Sequence, residues 1–182
     1  HFDGERVHLP TEIGEAIRAF AEAGFMAGAQ DYEYGGMQLP VVVDKACFAW
    51  MLAANVSSAA YPLLTIGNAN LLLAHGSPAQ IAAFAQPELA GRFFGTMCLS
   101  EPQAGSSLAD ITTRAEPDGD SPLGPRFRLY GNKMWISGGE HELADNIVHL
   151  VLARIAGAPP GVKGISLFIV PRRLLDASGE PG

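Results

Sequence analysis

The chain has 182 residues, 48% of them hydrophobic and 17% charged, with a formal net charge of −7 and 12 Lys plus Arg. That length and apolar content allow one domain or two small ones with a buried core. The acidic balance, with no basic run, excludes a nucleic-acid surface, which needs clustered cations to displace counterions. Cys47 and Cys98 stand in apolar surroundings without CxxC spacing, which points to reduced thiols and a cytoplasmic protein.

In chain order, residues 1–9 show no initiator Met and no targeting pattern, and read as the start of a processed, trimmed or excerpted chain. Thr11 suits the N-cap of a helix whose apolar positions Ile13, Ala16, Ile17, Phe20 and Ala21 follow three-four spacing, with Gly24 at its end. Residues 31–40, with Gly35-Gly36, read as a loop. A second helix is expected from Val41 to about Ala60, and a third from Pro62 to His75-Gly76. Ser77-Pro78-Ala79-Gln80 starts a fourth, with Ser77 as cap, Pro78 at the first position and Gln80 completing a capping box. Pro87 is expected to stop it.

Between Lys45 and Glu88 there is no Asp, Glu, Lys or Arg. Polar residues and Pro62 interrupt this run before an apolar stretch of about 18 residues can form, so no membrane span is expected. Helices this apolar must instead be covered by other protein, which favours a homo-oligomer. Asn55, Ser57, Ser58, Asn68 and Asn70 are then expected to face a ligand, a partner chain or further parts of the same polypeptide.

After Gly91 the hydrophobic period becomes strand-like. Strands are expected near 93–99 and at 111–116, 127–130, 134–137, 146–155 and 164–170, with loops at 118–125 and 157–161 and a polar tail at 176–182. The fold class is therefore α+β, with an N-terminal helical domain over 1–90 followed by an antiparallel β-domain over 91–182.

Two segments carry the chemistry. In GTMCLSEPQAGSS, residues 95–107, a strand passes Glu101-Pro102 and enters a loop of Ala104, Gly105, Ser106 and Ser107. Such a loop is either a surface turn or a cradle whose amides and hydroxyls donate to phosphate or carbonyl oxygens. In GNKMWISGGEH, residues 131–141, Gly131-Asn132 signals a hairpin that returns through Lys133 to Ser137. An indole and a hydroxyl, Trp135 and Ser137, then stand beside a flexible loop and suit a flat aromatic ligand. HELAD, residues 141–145, falls one residue short of HExxH because Asp145 takes the second His position, so no metal site is expected. His149, alone in an apolar strand, reads as structural.

MCLSEPQAGSS followed by GNKMWISGG resembles the two flavin-contacting segments of the acyl-CoA dehydrogenases, a TEPxAGSD-like loop and a KxWIT-like hairpin. EYGGMQLP, LAHGSPAQ and NIVHLVLARIAGAPPGVKGISLFIVP are similar to the branch that contains the methylmercaptopropionyl-CoA dehydrogenases. Ser100 and Ser137 stand where the family more often has Thr, and Ser107 where it more often has Asp. The first two changes keep the hydroxyl and lose the stiffening methyl.

The resemblance implies a helical N-terminal domain, a middle β-domain and a C-terminal helical bundle that this chain lacks. FAD is the cofactor it implies, with Met97, Cys98, Leu99, Ser100, Ser106, Trp135, Ile136 and Ser137 at the flavin-binding positions. By that match Leu99 and Ser100 serve the pyrimidine side, Trp135 shields one flavin face, Ser137 reaches the N5 edge, and Ser106 lies near the CoA arm as a substrate contact. A CoA ester would draw on cations from Arg126, Arg128, Lys133, Arg172 and Arg173, most of which otherwise read as solvated strand faces.

An acyl-CoA thioester is the implied substrate, and an electron-transfer flavoprotein or another acceptor takes up the electrons. No catalytic residue is assigned within 1–182: Glu101 is expected to order its own loop, and the base, a glutamate, belongs to the C-terminal part. Two other classes stand beside the dehydrogenase: an acyl-CoA oxidase of the same superfamily, and a non-catalytic relative that binds acyl-CoA or a partner.

Overall fold

The computed structural model describes residues 2–5 and 7–182. Helix α1 spans Thr11–Glu22, α2 Val41–Ala54 and α3 Val56–His75. Pro10 rather than Thr11 takes the N-cap of α1, its carbonyl accepting from Ile13 N at 3.1 Å. Asn55 breaks α2 from α3: its backbone is extended, and its side chain accepts from Ser58 N at 2.9 Å, the N-cap bond that starts a helix. Pro62 thus lies inside α3 instead of opening it, and its ring is buried.

The predicted capping box is present, with Gln80 N donating to Ser77 Oγ at 3.2 Å and Ser77 N to Gln80 Oε1 at 3.0 Å. It opens α4, Pro78–Gln80, which runs through a π-helical turn, Ile81–Ala85, into α5, Gln86–Leu89. Pro87 therefore sits within a continuing helix. The wider π turn precedes it, at the place where a proline ring would otherwise meet the carbonyl of Ala83.

Five strands follow: β1 Phe93–Cys98, β2 Arg114–Ser121, β3 Gly124–Tyr130, β4 Asn146–Ile155 and β5 Ile165–Pro171. The sheet is mixed, not antiparallel as expected. β4 pairs parallel with β1 over Asn146 to Val151 and with β2 at Arg154 and Ile155, and antiparallel with β5 over Val148 to Arg154. Because β5 overlaps both other partners, β1 and β2 share one edge of β4, end to end. β2 and β3 form a hairpin through Pro122 and Leu123, so the expected loop at 118–125 is mostly strand. Residues 134–137 form no strand.

α3 joins the two parts. Its buried residues Ser58, Ala59, Pro62, Thr65, Asn68, Ala69 and Leu72 recur at helical spacing and are mostly small, so the helix approaches the sheet closely. Thr65 Oγ1 accepts from Gly95 N at 3.1 Å, and Asn68 Nδ2 donates to Thr96 O at 3.2 Å and Val148 O at 2.8 Å. A β-carbon on Gly95 would lie 2.4 Å from Asn68 Cβ, which is why glycine stands there. These contacts correct the sequence expectation: Asn68 faces the sheet, Asn55 caps its own helix, and Asn70 accepts from Gln30.

Leu72, Phe84, Phe93, Val148 and Leu150 fill the core between the helices and the sheet. The tail is docked and turned: Leu175 bridges to Pro181, Asp176 Oδ1 accepts from Ser178 N at 2.8 Å and Glu180 N at 3.0 Å, and Glu180 pairs with Arg92 at 2.6 Å. Val42 and Trp50 on α2 remain 81% and 80% exposed. Among the described residues no helix is long and apolar enough to cross a membrane.

Candidate functional site

The end of β1 brings the two motif segments together. Side chains of consecutive strand residues alternate between faces. Met97 is accordingly exposed, while Cys98 is buried and lines a cavity of about 330 Å³ with Thr113, Lys133, Ile136, His149 and Val170. Burial raises the Cys98 thiol pKa, so this cysteine is a weak nucleophile. Of the eight candidate residues, Met97, Ser106, Trp135 and Ser137 are exposed, Leu99, Ser100 and Ile136 are half-buried, and Cys98 offers only its backbone to the outer face.

The loop after β1 is fixed from inside. Glu101 and Ala104 close a tight backbone turn, and the Glu101 side chain, 1% exposed, points inward. It accepts from Thr112 N at 2.7 Å and Oγ1 at 2.9 Å, Thr113 N at 3.1 Å and Oγ1 at 2.6 Å, and Gln103 Nε2 at 2.8 Å. Lys133 Nζ completes the set at 2.8 Å and also donates to Leu99 O at 3.1 Å. Burial alone would raise the Glu101 carboxyl pKa; the ammonium and the threonine donors outweigh it and hold the group well below the ordinary carboxylate range. Glu101 orders its loop, as expected of a loop carboxylate beside backbone amides, and the ion pair ties that loop to the second segment.

That second segment does not return as a hairpin strand. A β-carbon on Gly131 would meet Thr113 Oγ1 at 2.2 Å and Cα at 2.8 Å, so the chain passes over Thr113 rather than turning back on β3. A single backbone bond, Met134 N to Ser100 O at 3.0 Å, joins it to the first segment. Trp135 then takes the left-handed conformation, φ 58°, with its indole 74% exposed. Non-glycine residues rarely hold that conformation, and those that do cluster at functional sites. Gly139 N closes a turn on Ile136 O at 3.1 Å, and Gly138, φ 63°, lies where a β-carbon would be 3.5 Å from Tyr61 and 3.8 Å from Leu64 of α3.

The serines divide into two kinds. Ser107 Oγ donates to Asp110 Oδ2 at 2.6 Å and helps close the turn over 108–110, so a hydroxyl orders the loop where the resembled family more often has a carboxylate. Among the described residues, the hydroxyls of Ser100, Ser106 and Ser137 have no hydrogen-bond partner.

Sequence reasoning missed the histidine chemistry beside this site. His141 is 5% exposed, flanked edge-on by the rings of Tyr61 at 5.1 Å and Phe94 at 5.4 Å. Its Nδ1 accepts from Leu143 N at 3.2 Å, so the proton of the neutral ring is on Nε2. Burial first, then Arg172 and His149, lower its pKa to about 4. His149 Nδ1 meets Thr96 Oγ1 at 2.7 Å across the β1–β4 register. Glu140 pairs with Arg172 at 2.6 Å. Among the described residues no three of His, Cys, Asp or Glu group closely enough to hold a metal ion.

Comparison with known proteins addresses the family. Residues 96–179 match the family described as acyl-CoA dehydrogenase, middle domain, and a relative named 3-methylmercaptopropionyl-CoA dehydrogenase, from Ruegeria pomeroyi, is 42% identical over 96% of the chain and 29% of its own length. The chain belongs to the acyl-CoA dehydrogenase family.

A butyryl-CoA dehydrogenase from Syntrophomonas wolfei is 31% identical over 99% of this chain and 29% of its own. The crystal structure of a glutaryl-CoA dehydrogenase from Mycobacterium smegmatis in complex with FADH2 superposes with a TM-score of 0.70 at 26% identity, over 90% of this chain and 38% of that one. The chain thus spans 29% of the length of these two curated relatives. Its α+β class and its family, recognised above from the two motifs, are those of these proteins.

Proposed function

We propose that residues 1–90 and 91–182 are the N-terminal helical domain and the flavin-binding middle domain of an FAD-dependent acyl-CoA dehydrogenase. The observation that carries this reading is the rim around the end of β1. An exposed indole in a strained backbone stands there with the unpartnered hydroxyls of Ser100, Ser106 and Ser137 and the exposed side chain of Met97.

The donor set fits a flavin. Hydroxyls and loop amides suit the carbonyl and ring-nitrogen edge of an isoalloxazine, and an indole suits its flat face. Gly105 meets no neighbour within 4 Å of a β-carbon and does not need a positive φ, which supports close approach of a ligand to that backbone. The chemistry the flavin would supply is hydride acceptance at N5 from the β-carbon of an acyl-CoA thioester whose α-proton is lost as well, giving the enoyl-CoA.

In this reading Ser100 and the Leu99 amide bind the pyrimidine edge and favour negative charge there. Ser137 donates near N5, Trp135 keeps water from one face, and Ser106 contacts the CoA arm. The α-proton leaves to a carboxylate outside residues 1–182. Glu101 is unsuited to that task, since it is buried and spent on its own donors. An electron-transfer flavoprotein is the acceptor we infer, and the exposed Val42 and Trp50 favour a homo-oligomer; both assignments, and a cytoplasmic location, belong to this proposal. The relatives' names differ in acyl group, so the acyl group is for experiment to decide.

The test is the anaerobic half-reaction of the longest expressible polypeptide containing this sequence, incubated with FAD and desalted. The expected result is retained flavin bands that bleach with an acyl-CoA ester from a panel that includes the 3-methylmercaptopropionyl and butyryl esters. Retained bands that no ester bleaches would favour the non-catalytic binding relative.

A further inference from the structure

We propose that the Lys133–Glu101 ion pair is a positioning device that sets the pose of Trp135. The consequence for a flavin rests on the function proposed above; the effect on Trp135 does not. Lys133 lies in the second motif, but both of its acceptors, Glu101 at 2.8 Å and Leu99 O at 3.1 Å, lie in the first. Its side chain is 11% exposed and that of Glu101 1%. Glu101 is itself immobilised by the backbone and hydroxyl donors of Thr112 and Thr113.

The indole has nothing comparable. At 74% exposure and φ 58°, its direction comes from the backbone on either side. Downstream, the turn Ile136 to Gly139 fixes the chain. Upstream there are the Met134 N to Ser100 O bond and the Lys133 ties. A left-handed tryptophan persists only while its surroundings over-determine it. Without the upstream ties it relaxes to an ordinary extended or helical backbone, and the direction of the ring changes.

An apolar pair in place of Lys133 and Glu101 would keep the two segments close, since buried ion pairs are often replaceable without loss of stability. It would not fix direction. An ammonium held by two acceptors does, and directional specification is the best-attested use of a buried polar pair.

The experiment uses the 182-residue chain without flavin. The sequence contains two tryptophans, so Trp50→Phe leaves Trp135 as the sole site for 5-fluorotryptophan, read by fluorine NMR alongside far-UV circular dichroism. The parent is expected to give one dispersed resonance. In Lys133→Met and in the double variant Lys133→Met with Glu101→Gln, which buries no unpaired charge, that resonance should move toward its position in urea while the circular dichroism stays native. Lys133→Arg, which keeps the cation, should restore it. A folded double variant with the parent resonance would overturn the proposal, as would loss of the resonance only together with the whole fold. Because no flavin is present, neither outcome bears on the flavin assignment.

Discussion

Replacing Glu101 with alanine is expected to cost about 3–5 kcal/mol of folding stability, the range for removing one partner of a buried ion pair. The variant leaves the Lys133 ammonium, 11% exposed, with Leu99 O as its remaining acceptor. It also strips the acceptor from the buried Thr113 N and Oγ1, and orphaned buried donors are costly. A lowered urea midpoint at unchanged slope measures the loss. The pH dependence has a definite sign. The folded carboxyl titrates below its unfolded value, so the stability it contributes is present above about pH 4.3, the unfolded range, and is lost as pH falls below it. Glu101→Gln should flatten this acid limb.

Glu88→Met is expected to act in the opposite sense, stabilising the fold at neutral pH by about 1–3 kcal/mol, the cost of an unsatisfied buried polar group. Glu88 on α5 is fully buried, and both carboxylate oxygens are without a hydrogen-bond partner among the described residues. α3, β1, the turn at Phe25–Ala27 and the π turn at Ile81–Ala85 pack on α5. Among their titratable residues are Tyr61 and His75 on α3 and Cys98 on β1, while the turn at Phe25–Ala27 and the π turn at Ile81–Ala85 carry none. Burial is therefore the cause that raises the carboxyl well above its ordinary pKa, and no cation offsets it. As pH rises from about 4.3 the unfolded chain releases this proton while the folded chain keeps it, so stability falls with pH until the folded group ionises. Thermal melts from pH 4 to 9 should show that decline in the parent and not in Glu88→Met. An equal decline in both would show that Glu88 has a partner in solution.

How much of this was legible in the sequence depended on range. Ser77 to Gln80 states its capping box within four residues, and 146–155 is mostly apolar, broken only by Asn146, His149 and Arg154; both appear as read. Proline misled twice. Pro62 and Pro87 break helices by local rule, yet here a buried ring and a preceding π turn accommodate them, and neither is visible in the string. Gly131-Asn132 ahead of the apolar Met134-Trp135-Ile136 reads as a turn into a returning strand, but Gly131 is there for its lack of a β-carbon over Thr113, not for a turn. The Lys133–Glu101 pair joins residues 32 apart, and no spacing rule reaches that far. Both residues were quoted as parts of motifs while their partnership stayed hidden. Parallel pairing of β1 with β4 was equally out of reach, because buried parallel and antiparallel strands present similar apolar runs.

The most direct measurement of the central claim, that Trp135 forms one wall of a flavin site, is the fluorescence of flavin retained by the longest polypeptide containing this sequence. Stacked on an indole, the flavin should be quenched. Trp135→Leu should raise its emission severalfold, and Trp50→Phe, a change at an exposed position on α2, should leave it unchanged. Retained flavin whose emission is the same with and without Trp135 would contradict the account.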